Sequence, residues 1–153
     1  MATLPGRTPR QADLRRAISS AYYALFHAVA IAVADDIVGS TRRASSRYAL
    51  LYRSIDHRKL RELCEDVGKQ TPPKKIARYV PTGGFGSDLM LAADAVIDLQ
   101  EKRHLADYDP AFRAAKSDVV VAVTTGRTAL AHLRAAPPAQ LKAFLTLVAF
   151  PPR

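Results

Sequence analysis

Ser117-Asp-Val-Val-Val-Ala-Val-Thr-Thr-Gly-Arg-Thr-Ala-Leu-Ala-His-Leu-Arg134 is the stretch whose reading decides the fold. Taken alone, Val119–Val123 has the β-branching of a buried strand. Its surroundings argue for a helix. Ser117-Asp118 is a cap followed by an acid, and Val119, Ala122, Gly126, Leu130 and Leu133 recur at helical spacing up to Arg134. Glycine inside a helix costs about 1 kcal/mol relative to alanine, so Gly126 is expected to admit a close helix neighbour.

With that segment helical, no strand remains. Downstream, Pro137-Pro138 stops one helix and starts a last one, whose Leu141, Phe144, Leu145 and Val148 pack back on the bundle or across to a second subunit. Upstream, Ser87 is expected to cap a long helix that carries Leu89, Ala92, Val96, Leu99 and Arg103 along one face. Near the start, Thr8-Pro9-Arg10-Gln11 reads as a capping box. The helix it opens runs to about Ala34, with Leu14, Ile18, Ala21, Leu25, Ala28 and Ala32 in one stripe. From Ala21 onward it is so apolar that burial on most sides is expected. Tyr23 and His27 share a face there, and His27 reads as a core histidine.

Between the long helices, Arg43–Ser54 forms a short basic amphipathic helix, and Asp56 caps another that runs through Val67. Residues 68–86 are one long basic, Gly/Pro-rich loop, either mobile or functional, whose glycine cluster reads as a flexible hinge. Its Gly83-Gly-Phe-Gly86 lacks the Gly-Lys-Ser/Thr ending of a nucleotide-binding loop, and no cofactor is expected. The whole predicts an all-α bundle of about three long and three short helices. It forms a single domain over residues 1–153, with a flexible N-terminus at residues 1–8.

Charge is unevenly placed in these 153 residues. The net charge is +9; residues 1–80 hold 15 Lys/Arg against 7 Asp/Glu, and residues 81–153 hold 8 against 7. Such a basic half attracts polyanions through counterion release, or an acidic protein. Arg43, Arg47, Arg53, Arg58, Lys74, Lys75 and Arg78 are the candidate nucleic-acid contacts. The single cysteine, Cys64, falls in register with Leu60, Leu63 and Val67 as a small core residue, and it suits a reducing compartment. The scattered histidines, His27, His57, His104 and His132, offer no metal-ligand spacing, so no metal is expected. The longest apolar run, Ala21–Ala34, falls short of a membrane span, and the first residues lack the apolar core of a secretory signal. A cytoplasmic protein without a membrane partner is the expectation.

The densest polar stretch is Glu101-Lys-Arg-His-Leu-Ala-Asp-Tyr-Asp-Pro110, placed where the second long helix is expected to end. Arg103 suits a phosphate, His104 proton transfer, Asp107 the orientation of either, and Tyr108 stacking on a base. The same residues also suit an ordinary polar corner, with Arg103 at a helix end paired to Asp107 or Asp109.

Leu14-Arg-Arg-Ala-Ile-Ser-Ser-Ala-Tyr-Tyr-Ala-Leu-Phe-His-Ala28 resembles the first-helix signature of bacterial HEPN-domain proteins. Tyr48–Cys64 resembles their middle, and Leu99–Pro110 a variant of their C-terminal motif; the likeness covers about residues 10–148. It implies a helical bundle, a homodimer with a basic cleft near the motif, and RNA as the ligand. It further implies either a metal-independent endoribonuclease, which can be a toxin paired with a nucleotidyltransferase-like antitoxin, or a relative that has become a binding subunit. Arg103 matches the motif's arginine and His104 the polar residue after it, but Tyr108 stands where the catalytic histidine belongs. Arg127-Thr-Ala-Leu-Ala-His132 has the motif's spacing but lies inside the last long helix. The expectation is therefore a binding or interaction module with a degenerate motif. The alternative is a ribonuclease using Arg103, His104, Asp107 and Tyr108.

Overall fold

The computed structural model describes residues 8–153, so the expected flexible stretch 1–8 lies outside the described residues apart from Thr8. Among the described residues there are helices and no strand: α1 (Gln11–Ile37), a 3₁₀ turn (Ser40–Arg42), α2 (Ser46–Ser54), α3 (His57–Val67), α4 (Lys74–Ala77), α5 (Ser87–Tyr108), α6 (Lys116–Ala135) and α7 (Pro138–Ala149). The valine run is helical, as its periodicity requires. Ala122, Gly126, Ala129 and Leu133 form its buried face, whereas Val120 and Val121 are exposed.

Helix α1 is the axis, packed against α5, α6, α2 and α7. Its buried stripe Ile18, Tyr22, Leu25, Val29 and Val33 meets Leu89, Val96 and Leu99 of α5 and Ala122 and Ala129 of α6. Cys64 is fully buried among them, and burial pushes its thiol pKa up. By length and composition α1 is long and apolar enough to cross a membrane, longer than the apolar run alone indicates, while half of its most apolar window is buried in the bundle. Its second half is not covered on every side. Ala24, His27 and Ile31 are exposed along one strip, which corrects the reading of His27 as a core residue.

Helix ends differ from the sequence reading in instructive ways. Helix α1 begins at Gln11, with Arg10 rather than Thr8 at the cap position and no side-chain cap. The Gln11 amide is used on the α5–α6 corner instead. It donates to the Ala114 carbonyl and accepts from the Ala114 N–H, both at 2.9 Å. The start of α5 is set by Gly86 at φ 86°, with Ser87 as the first helical residue rather than the cap. At the other end of α1, Arg43 forks onto Asp35 at 2.7 and 3.1 Å while the Tyr48 hydroxyl donates to the same carboxylate at 2.8 Å, tying α2 to α1. The expected loop at residues 68–86 holds the one-turn helix α4 and is anchored in the core by Ile76 and, within the glycine cluster read as a hinge, by Phe85.

Two glycines are predicted to respond oppositely to alanine. A Cβ at Gly126 would sit 3.6 Å from the Ala21 carbonyl oxygen and 3.7 Å from Leu99 Cδ1, ordinary contact distances. Gly126→Ala should therefore raise stability by about 0.5–1 kcal/mol through helix propensity. Gly86→Ala should lower stability by about 1 kcal/mol or more, because φ is positive and the Cβ would fall 2.5 Å from Gln140 Oε1. Urea unfolding of the two variants measures both signs.

Candidate functional site

The polar stretch is helical up to Tyr108 and turns only at its last residues. Helix α5 continues to Tyr108, so Arg103 and His104 lie within its last turns rather than at its end. The last carbonyls of any helix lack intrahelical donors, and here Arg15 of α1 supplies them. Its Nε donates to the Ala106 carbonyl at 2.7 Å, and its Nη2 donates to the carbonyls of Leu105 and Asp109. The role at the helix end foreseen for Arg103 thus belongs to Arg15, which also places positive charge against the negative end of the helix dipole.

Arg103 is therefore available for something else. Its Nη1 donates to the Tyr23 hydroxyl at 2.9 Å, and its guanidinium carbon lies 5.0 Å from the Tyr22 ring centroid and 5.5 Å from that of Tyr23. Its partners are aromatic faces. The expected pairing with Asp107 or Asp109 does not form, since Asp107 accepts from the buried Ser19 hydroxyl at 3.1 Å and Asp109 uses its carboxylate on the Ala111 N–H. Arg103 Nε is buried without a hydrogen-bond partner, as is Gln100 Oε1 one turn earlier.

His57, the first residue of α3, completes the cluster. Its ring stacks on Phe26 with centroids 3.7 Å apart, and its Nδ1 lies 2.7 Å from the Tyr22 hydroxyl oxygen. The backbone carbonyl of His57 accepts from Gln100 Nε2 at 3.3 Å. Burial, helped by the Arg103 charge, holds the His57 pKa below its ordinary value, so the ring is neutral at neutral pH. Burial also pushes Tyr22 up to about 12, which keeps its hydroxyl protonated. Beside them His27 stacks on Tyr52 and bonds to its hydroxyl.

Two grooves flank the end of α5. One, of about 640 Å³, is lined by His57, Arg58, Arg61, Gln100, Arg103 and His104. The other, of about 800 Å³, lies between α5 and the start of α1 and holds Arg15, Arg16, Tyr23, Asp107 and Tyr108. The four expected site residues thus divide. Arg103 and His104 face the first groove, Asp107 and Tyr108 the second. His104 and Tyr108, with ring centroids 5.0 Å apart, form the rim between them, and Tyr108 is 65% exposed.

Of the seven expected nucleic-acid contacts, only Arg58 lines a groove with Arg103. It pairs with Glu62 at 3.1 Å, Arg43 is taken by Asp35, and Lys75 lies 3.5 Å from the buried Asp66. Arg47, Arg53, Lys74 and Arg78 are exposed on α2 and around α4, with Arg78 over the Tyr79 ring. His132 pairs with Asp88 at 2.9 Å, at the opposite end of α5 from Arg103. Among the described residues no three His, Cys, Asp or Glu side chains gather as metal ligands would. Sequence reading missed His57 and Tyr22. His57 occupies a cap-adjacent position on a charged short helix, and its only local signal is the bulky aromatic run Tyr22-Tyr23 with Phe26, which has to pack against something.

The depressed His57 pKa predicts a pH dependence of stability. Above the ordinary histidine value of 6.5 the ring is neutral in both folded and unfolded chains and contributes no slope. As pH falls below that value the unfolded chain takes up the proton first, and stability declines until pH passes the folded pKa. Urea midpoints between pH 7.5 and 5.5 should fall for the natural chain and fall less for His57→Asn. Asp35, held low by the Arg43 hydrogen bonds, contributes stability that is lost only at more acid pH, below its ordinary 3.8.

Comparison with protein-family models, with curated proteins and with solved structures finds no match for this chain.

Proposed function

We propose that the chain is an HEPN-like, RNA-associated module that binds single-stranded RNA across the end of α5. The observation that carries this reading is the adjacency of Arg103, held on aromatic faces without a carboxylate partner, and the exposed His104–Tyr108 ring pair. A guanidinium not consumed by an internal ion pair can take a phosphate, and an exposed aromatic edge gives a base a stacking surface. The net charge of +9 supplies long-range attraction for such a polyanion. In this reading the chain is a cytoplasmic homodimer and the RNA-directed component of a toxin–antitoxin-type pair. Its partner would be a nucleotidyltransferase-like protein.

A second reading, a metal-independent endoribonuclease, is favoured by one specific observation. Two imidazoles, His57 and His104, line one groove with Arg103. Cleavage of a phosphodiester by the neighbouring 2′-hydroxyl needs a proton acceptor, a proton donor and a cation for the phosphoryl oxygens. The groove contains all three types of group.

Binding is measured by fluorescence anisotropy with a mixed-sequence single-stranded RNA carrying one 2′-deoxy position at each step that is to stay uncleaved. Tyr108→Ala should weaken binding by about 1–3 kcal/mol through lost stacking, and Arg103→Ala should weaken it as well. Lys142→Ala, on the far surface against Asp36, should leave it unchanged. Equal affinities across all four proteins would refute the α5 end as the RNA site.

A further inference from the structure

We propose that His57 supplies the proton acceptor for RNA transesterification at this site, with His104 as the proton donor. The proposal rests on the reading of the α5 end as an RNA site and assigns a role to a residue outside the polar stretch altogether. Three features of the structure carry it.

The first is placement. His57 comes from the start of α3, yet it lines the same groove as Arg103 and His104 of α5. An imidazole is thus provided where the stretch itself has Tyr108. The second is rigidity. The His57 ring is stacked on Phe26 on one side, lies 5.9 Å edge-on from Tyr23, and its main chain is held by Gln100. A fixed ring loses little freedom on reaching the reactive arrangement.

The third is the tautomer. The Tyr22 hydroxyl, 2.7 Å from Nδ1, can accept a hydrogen bond from Nδ1–H. That arrangement leaves the Nε2 lone pair as the ring's free basic position. The charged and titratable groups around the ring act in concert. Arg103 from α5 and His27 from α1 oppose its protonation, and Asp56, just ahead of it, favours it. Tyr22 and Tyr23 from α1 stay in contact with it, and His104 and Glu101 share its groove.

The step balances without an oxidant, reductant or water. The 2′-hydroxyl gives its proton to His57 Nε2, and the 2′-oxygen bonds to the adjacent phosphorus. The bond from phosphorus to the 5′-oxygen breaks, and that oxygen takes a proton from protonated His104. The products are a 2′,3′-cyclic phosphate and a 5′-hydroxyl. Arg103 lies against the charge that builds on the phosphoryl oxygens.

The test incubates the purified full chain with a pool of random-sequence RNA and with cellular RNA, sequencing the new ends. Wild type, His57→Asn, His57→Ala, Tyr22→Phe and His104→Asn are compared. Thermal melting and anisotropy on the 2′-deoxy probe run in parallel. The expected result is cleavage to 2′,3′-cyclic phosphate ends by wild type, lower by about 10²–10⁴-fold in His57→Asn. RNA affinity and melting at pH 7.5 should stay close to wild type. The acid limb of the wild-type pH–rate profile should vanish in His57→Asn, and free imidazole should restore part of the activity of His57→Ala. Tyr22→Phe should lower kcat with KM unchanged, a split that a packing role alone does not produce. Cleavage at the wild-type rate by folded His57→Asn overturns the proposal, as do 3′-hydroxyl product ends. A wild type that binds the RNA probe but cuts neither pool overturns it while leaving the binding reading intact. A wild type that binds no RNA overturns both.

Discussion

Arg15 holds the carbonyl end of α5, and the arrangement of the candidate site depends on that contact. Helix α5 continues past Arg103 to Tyr108 because a side chain on another helix satisfies its last carbonyls. Gln11, Arg15 and Ser19 fall four residues apart on α1, and all three reach the α5–α6 corner. Gln11 clamps Ala114, Arg15 takes the α5 carbonyls and Ser19 donates to Asp107. One polar stripe of the central helix thereby fixes where α5 stops and how α6 departs. A hydrogen bond from a charged donor contributes about 1.5–3 kcal/mol net, so the corner is held by more than packing. It also brings the last turns of α5 into the notch between α1 and α3.

That placement explains why Arg103 has aromatic rather than acidic partners. The α1 residues one and two turns beyond Ser19 are Tyr22, Tyr23 and Phe26, and their rings occupy the space in which a carboxylate would otherwise sit. A guanidinium over a ring gains about 0.5–2 kcal/mol of attraction without being neutralised. A carboxylate partner would have cancelled the charge. The same rings press on His57 and keep its ring neutral, so the cluster combines a fixed cation with an uncharged imidazole. Neither property belongs to either residue alone. Both depend on burial against Tyr22, Tyr23 and Phe26, and the second also on the Arg103 charge.

Much of the fold was legible because it rests on spacing. The stripes Leu14–Ile18–Leu25 and Leu89–Val96–Leu99 carry period 3.6 over many turns, and the Val119 run reads as a helix once its neighbours are counted. What was not legible rests on contacts across long separations. Gln11 looks like the closing residue of a capping box, and only Ala114, 103 residues away, shows how its amide is used. The end of α5 falls at Asp109-Pro110, close to where its polar stretch signals it, but the donor that satisfies its last carbonyls lies on α1 and has no local signal. Within the candidate site, Arg103, His104 and Tyr108 stood out from their crowding in sequence. His57 did not, since nothing next to it on α3 signals that Phe26 and Tyr22 will receive it.

Charge, by contrast, bears more on the kind of partner such a chain would attract than on the place where it would sit. Arg58 and Arg61, the basic residues nearest Arg103 in its groove, are paired with Glu62, Glu65 and Glu101. Among the cations expected as contacts, the exposed ones without such partners, Arg47 and Arg53 on α2 and Lys74 and Arg78 around α4, stand outside that groove, while Arg16 lines the neighbouring one with Tyr108. The basic half of the chain is then suited to drawing a polyanion in from a distance, since fields from several exposed charges add over about a Debye length of 8–10 Å. On the proposed reading, retention at the α5 end would come from short-range contacts, the Arg103 guanidinium and the His104–Tyr108 faces. Attraction of that first kind weakens steeply with salt, whereas stacking does not. On the proposed reading, such a site would gather many nucleic acids and hold those that present an unpaired base beside a phosphate, which single strands do and duplexes do not.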